Sequence, residues 1–401
     1  MGDGVENEAR SRMRSLITTA FSGMPIVLAV ATMGHATPSR TPTPILRTVT
    51  VGFYPSAFAI DPHTARVFVT AFSDGVVNTL DARTGVLIGA TPVSRRPVSA
   101  AVDPATGRVF IATQGETYNR GNGTVDVLDA RTGLRLSTTV VGSLGPDFDN
   151  LALDERTARV FIADYGSDTV NMLDARTGMR LRTIHTGRNP KAITVDRRLG
   201  RVVVSNQGDG SVSILDAHDG TVLHTVHVGD APDAVVLDED DGLACVVSRT
   251  DGAITTITVV DVRRGVVARR VRVGTAGLYV GVGVPKTHHA FFTNFDGDTV
   301  SMLDPRSGNL RAIRVGLQPY GIAVDARRNR VYVANENSNS VTVIDARNGR
   351  VRRTLRLAVQ PSVVAVEDAT GAIFVGSSGT DGAPSKRPLP PSVTTIDGTR
   401  L

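Results

Sequence analysis

Leu80-Asp81-Ala82-Arg83-Thr84-Gly85 is the stretch that decides the fold, because the chain keeps returning to it. It recurs as Leu128-Asp129-Ala130-Arg131-Thr132-Gly133 and Leu173-Asp174-Ala175-Arg176-Thr177-Gly178. Looser copies run over Leu215–Gly220, Val260–Gly265, Leu303–Gly308 and Ile344–Gly349, and a truncated one stands at Ile396-Asp397-Gly398. The aspartates are 48, 45, 42, 45, 43, 41 and 52 residues apart, and a period of about 40–45 residues belongs to propellers and other arrays. Each copy follows a β-rich run and ends in Gly. An Asp carboxylate there accepts backbone N–H groups just ahead, and Gly takes φ > 0 at no steric cost. The motif predicts a hairpin corner whose Asp and Arg are structural rather than catalytic.

Working outward from the corner, every unit shows four beats. In the fourth unit, Thr186-Gly187-Arg188-Asn189-Pro190 reads as a loop, and Ala192–Asp196 as a short strand. Arg201–Asn206, Ser211–Asp216 and Val222–Val228 follow as three more strands, separated by Gly- and Asp-rich turns. Four short strands per unit predict a blade. The repeated region opens on Ile45–Gly52, which matches a fourth strand, and closes on Ser392–Asp397, which matches a third. The chain thus begins with the piece its last unit lacks, and pairing the two would remove an open edge. The expectation is an all-β chain: one β-propeller of four-stranded blades, closed by its N-terminal strand. The count gives eight blades, or seven if one end unit is not a true blade.

Composition agrees with this reading. A length of 401 residues alone suggests two or three domains, but repeats that bury only against one another form one unit. Aromatics make up 4% and there is no Trp, so the core must be Val, Ile, Leu and Ala, which favours strands. The net charge is +5, and only Lys191, Lys286 and Lys386 are lysines. A basic balance suits nucleic acid or an anionic surface, but many arginines stand beside an Asp in the repeated turn. The single cysteine, Cys245, allows no intramolecular disulfide and no CxxC site.

Residues 1–36 stand outside the repeat. Arg10, Arg12 and Arg14 precede an apolar stretch from about Leu16 to Met33, and Gly34-His35-Ala36 places small residues for cleavage. This is a secretory signal pattern. The acids Asp3, Glu6 and Glu8 are unusual before it, and a start at Met13 would remove them. Pro25 splits the apolar run, so no permanent membrane span is expected after cleavage. Residues 37–44 read as a Pro/Thr linker and 45–401 as the propeller. The expected chain is a monomer that is secreted, periplasmic or at the cell surface.

The second strands, Val67-Phe68-Val69-Thr70, Val109-Phe110-Ile111-Ala112, Val160-Phe161-Ile162-Ala163-Asp164 and Val331-Tyr332-Val333-Ala334-Asn335, resemble the Tyr-Val-Thr-Asn repeat of the YVTN β-propellers. That family includes periplasmic proteins of the YncE type and archaeal surface-layer proteins. The resemblance covers roughly residues 45–401 and implies the propeller fold. It leaves function open, because the repeat is a packing motif. Phe mostly replaces Tyr here, and eight units stand where the family usually has seven blades.

A four-beat unit sends its loops to two faces. The loop before the first strand and the second-to-third-strand loop share one face, called here the first. Both long loops of the chain, Gln114–Gly123 and Ser377–Pro391, are on it. So is the position after the loop Pro, occupied by Ser56, Val98, Asp147, Lys191, Asp233, Tyr320 and Ser362, with Tyr54, Arg96 and Arg188 just before. Such variation at a repeated position suits a ligand mouth. Tyr54, Arg96, Asp147, Arg188, Lys191, Asp233 and Tyr320 are the candidate contacts for a small polar ligand or an envelope protein. No catalytic residue, metal site or cofactor is assigned. None of the eight histidines falls at this mouth, and no nucleophile elbow, P-loop or His-Glu-x-x-His occurs. The reading is therefore a binding or scaffolding module of the cell envelope. A lyase or lactonase is the first rival and would need Asp147, Asp149 and Asp233 to converge. Single-stranded DNA binding, which the YncE resemblance permits, is the second, and Tyr54, Tyr118 and Tyr320 offer it few stacking rings.

Overall fold

The computed structural model describes residues 44–115, 122–145, 150–250, 254–274, 277–358, 360–379 and 389–401. The expected signal segment and all of the linker except Pro44 lie outside them. Blade 1 consists of Pro55–Asp61, Arg66–Ala71, Val76–Asp81 and Leu87–Pro92, paired antiparallel in chain order. Six further blades repeat that order, and each sheet has four strands. Blade 8 takes Pro361–Glu367, Ala372–Ser377 and Ser392–Asp397 from the end of the chain and its outer strand, Ile45–Thr50, from the beginning. Thr50 stands opposite Ser392 and Val49 opposite Val393, so the ring is closed by the strand exchange the end units predict. The first strands of successive blades lie side by side in a closed circuit, with blade 8 against blade 1. This is an eight-bladed β-propeller.

Strand alternation makes the packing. Along Arg66–Ala71, Val67 and Val69 join Phe374 and Val393 of blade 8. Phe68 points the other way and joins Val109 and Ile111 of blade 2. Successive side chains of a strand point to opposite faces, so each second strand feeds both neighbouring junctions. Eight apolar clusters result, one at every junction of neighbouring blades. A fully buried Phe contributes about 1.5–3 kcal/mol, and Phe68, Phe110, Phe161, Phe291 and Phe374 are all completely buried. Cys245 belongs to one such cluster, and burial raises its thiol pKa.

The repeated stretch is a hairpin corner. Asp81 Oδ1 accepts the Thr84 N–H and hydroxyl, both at 2.7 Å, and the Arg83 N–H at 3.1 Å. Gly85 then turns at φ +67°. The same bonds recur at Asp129 and Asp174. Arg108, Arg159 and Arg201 of the second strands reach the corner carboxylates of Asp129, Asp174 and Asp216. Among the described residues, no helix is long and apolar enough to cross a membrane.

Candidate functional site

The first strands of all eight blades wall a central cavity of about 540 Å³. Its body is apolar, with Phe58, Leu151, Ile193, Val235, Val280, Ile322 and Val364 on the wall. Its first-face end is polar, because each first strand enters there. Lys191 and Asp233, from neighbouring blades 4 and 5, form a salt bridge in that wall. Their side chains retain only 9% and 11% of their exposure, so the pair is largely desolvated. Tyr320, Ser362, Ser56 and Ser99 line the same cavity. The Ser56 hydroxyl is engaged by Thr70 Oγ1 at 2.7 Å and by the Pro97 carbonyl of blade 2 at 2.8 Å, so it also fastens two blades together.

Blade 2 keeps the register of blade 1 but buries the residue after its loop Pro. Val98, expected beside Ser56 and Lys191 at the mouth, is completely buried in the junction with blade 3. The ladder slips between Pro97 and Ser99 as it does between Pro55 and Ala57, and Ser99, like Ala57, lines the cavity. Similar slips open the first strands of blades 1, 4, 5, 6, 7 and 8. A bulge re-aims side chains at the start of a strand, and the apolar Val98 takes the core side of it.

Around the cavity mouth, the residue before the loop Pro is left-handed in five blades. Tyr54, Arg96, Asn189, Ala231 and Gln318 have φ between 42° and 60°. A residue before Pro is kept out of the right-handed helical region, and a left-handed one costs about 1–2 kcal/mol. Its recurrence makes this a property of the loop rather than of one pocket. The carbonyls of Tyr54, Arg96, Asn189 and Gln318 each accept the amide of the residue that leaves a second strand: Phe72, Gln114, Gln207 and Glu336.

Those exit residues form a second variable ring that the sequence reading missed. Phe72 meets the Tyr54 ring edge-on at 5.9 Å and carries the Arg96 guanidinium 5.9 Å from its centroid. Tyr165 donates to Gln207 Oε1 at 3.0 Å, and Phe295 meets Tyr320 edge-on at 6.3 Å. Burial raises the Glu336 carboxyl, and burial, then the Glu336 charge, raises the Tyr54 phenol. The position directly after each Tyr-Val-Thr-Asn-like run is the sequence signal that marks this ring.

Of the seven candidates, Lys191, Asp233 and Tyr320 stand in the cavity wall, and Tyr54 and Arg96 flank Phe72 on the rim. Arg188 is exposed and bound to Asp209 through its backbone N–H and its guanidinium. Asp147 lies outside the described residues, as do Asp149 and Tyr118. Among the described residues, the carboxylates and histidine close enough to share a metal are Asp238, Asp241 and His288. They belong to first-to-second-strand turns, on the second face. His288 Nδ1 is 3.3 Å from Asp238 and 3.2 Å from Asp241. Arg306 already grips Asp241 in two-point fashion and lowers its pKa, whereas burial, then Asp241, raises that of Asp238. With a guanidinium supplying the positive charge, the arrangement is an ion-pair network.

A family model described as outer membrane protein assembly factor BamB matches residues 121–355, from the third strand of blade 2 through blade 7. No curated protein sequence matches the chain. Among solved structures, hydrazine synthase from Kuenenia stuttgartiensis superposes with a TM-score of 0.56 at 14% identity, covering 91% of this chain and 99% of that one. The dihydro-heme d1 dehydrogenase NirN in complex with DHE superposes with a TM-score of 0.66 at 15% identity, covering 90% and 84%. At these identities the likeness is one of fold.

Proposed function

The chain belongs to the β-propeller family described as outer membrane protein assembly factor BamB, and on that footing we propose that it is an exported cell-envelope binding module whose first-face mouth takes a small polar or anionic ligand. The carrying observation is the Lys191–Asp233 pair held in the wall of the cavity. A desolvated ion pair is a poor stabiliser compared with apolar packing of the same volume, so its place at the polar end of an otherwise apolar cavity suits recognition. An apolar pocket with a few convergent polar groups is the usual form of a ligand site. Residues 1–36 supply the export signal and 37–44 the linker. The YVTN-like second strands agree with an envelope setting. The candidate contacts are Tyr54, Arg96, Lys191, Asp233 and Tyr320, with Phe72 and Glu336 added from the second ring.

Acid–base catalysis at the same mouth is a second reading, favoured by the raised Glu336 carboxyl, whose charge acts on Tyr54. Titration calorimetry with a panel of amino acids and dicarboxylates distinguishes the cases. Binding that the paired change Lys191→Met with Asp233→Leu abolishes supports the mouth. Binding untouched by that change sinks it, and turnover lost in Glu336→Gln with binding retained favours the enzyme.

A further inference from the structure

Eight copies of one blade act as internal controls for each other, and they separate two kinds of arginine on the outer strands. One register position clips blades together. From it Arg47, Arg182, Arg269 and Arg311 donate to the corner carbonyls of the next blade, at Thr84, Asp219, Arg306 and Asn348, over 3.2, 2.7, 2.7 and 2.8 Å. Arg353 does the same to Arg400 at 3.4 Å. Arg270 is held by the Val228 carbonyl and Thr258, and Arg352 by Asp345. These have packing roles.

Three residues further on, toward the first face, a second register position behaves differently. It stands opposite the third-strand residue five before the corner Asp, and around the ring it reads Pro92, Val140, His185, His227, Arg272, Arg314, Arg356 and Thr50. Five consecutive blades, 3 to 7, therefore carry His, His, Arg, Arg and Arg at one height. All five side chains are exposed, and none makes an ion pair or hydrogen bond with another described residue. The outer strands of those blades contain no Asp or Glu, and no outer strand of the ring contains Phe, Tyr or Trp.

We propose that this row is a docking track for a linear acidic polysaccharide, which lies along the rim of blades 3 to 7 with its sulfate or carboxylate groups on Arg272, Arg314 and Arg356. Three features select that partner. The row's three arginines share one sign of charge, and the outer strands that carry the row hold no acid, which attracts a polyanion. It follows a convex arc over more than half the ring, which a flexible chain can wrap, whereas a flat bilayer meets a convex edge at one or two blades. It has no aromatic platform, so it lacks the stacking surface that single-stranded nucleic acid uses.

The test is binding of heparin, as the probe, to the full chain across a salt series. Arg272→Ser, Arg314→Ser and Arg356→Ser together are expected to weaken heparin at least about tenfold and to flatten the salt dependence, since each neutralised anion contributes to that slope. The control changes Arg83, Arg131 and Arg176 to Ser at three corners, an equal loss of charge away from the row, and is expected to shift binding less than about twofold. Equal losses in both triples mean binding follows net charge alone and overturn the proposal. Absence of heparin binding at low salt overturns it as well. A thymidine oligonucleotide or phosphatidylglycerol vesicles bound more tightly than heparin through the same three arginines would assign the row to another partner. Thermal melts confirm folding, and the single change Arg314→Ser, expected to weaken binding by a smaller factor, stands in if the triple does not fold.

Discussion

The two faces of this ring are built from the same repeat and treat it in opposite ways. On the second face the corner is copied almost unchanged, and every copy uses its carboxylate to hold backbone amides. On the first face the corresponding positions differ from blade to blade: Ser56, Lys191, Asp233, Tyr320 and Ser362 in one ring, Phe72, Gln114, Tyr165, Gln207 and Glu336 in the other. Repetition marks what every blade needs in order to fold. Divergence within the repeat marks places where packing does not dictate the residue.

The contrast is sharpest at the buried pair. Lys191→Met alone would leave the Asp233 charge in the wall without its ammonium, and breaking a buried pair costs about 3–5 kcal/mol. Adding Asp233→Leu should recover most of that loss in urea unfolding. A single change that costs no more than the double one would show that the pair is solvated. On the second face, Asp174→Ala removes a carboxylate that accepts the Arg176 and Thr177 amides at 3.0 Å each. By analogy with helix caps, about 1–2 kcal/mol is expected, with little difference when the same change is made at Asp129. Widely different values at the two corners would break the claim that they are equivalent.

The corner carboxylates and Glu336 should also respond to pH with opposite sign. The Thr84 hydroxyl and amide and the Arg83 amide and charge hold Asp81 below its ordinary value despite the opposing effect of burial, as neighbouring groups do at Asp129, Asp174, Asp304 and Asp345. Those carboxylates stabilise the fold above the unfolded Asp pKa, and that contribution fades as pH falls through their lower folded values. Glu336 is raised, so ionising it opposes folding as pH rises from the unfolded Glu pKa through the folded one. Glu336→Gln should therefore raise the melting temperature at pH 7 and leave it unchanged near pH 4. A gain of equal size at both pH values would mean that its charge is not the cause. The smallest effect belongs to Arg188→Ala, whose side chain is 70% exposed despite its contact with Asp209. Thermal melts should not separate it from the parent chain.

The fold could be read from the sequence because its signals are local and repeated. The Asp-Ala-Arg-Thr-Gly corner needs only residues within one turn, and the alternation in Arg66–Ala71 encodes both blade junctions at once. The closure was legible too, since an unpaired strand at each end leaves one solution. The mouth was legible only in part. Counting from the loop Pro located Lys191, Asp233 and Tyr320, but it failed at Val98, whose apolar side chain joins the core although blade 1 keeps Ser56 at the mouth with the same slip. The ring of Phe72 and Glu336 escaped because the Tyr-Val-Thr-Asn-like run draws attention to the buried strand rather than to the residue that leaves it. The pairing of Lys191 with Asp233 bridges two blades, a contact that no pattern within one repeat contains.

The clasp between Ile45–Thr50 and Ser392–Asp397 has a temporal side. Thr48 and Thr394, which touch across it, are 346 positions apart. A ribosome working at about 5–20 residues per second needs roughly twenty seconds to a minute to cover that distance. Throughout that interval Ile45–Thr50 has no mate, and the growing arc of blades leaves an apolar blade face uncovered at each end. Whatever escorts the nascent polypeptide must shield those faces until Ser392–Asp397 arrives to lock the circle.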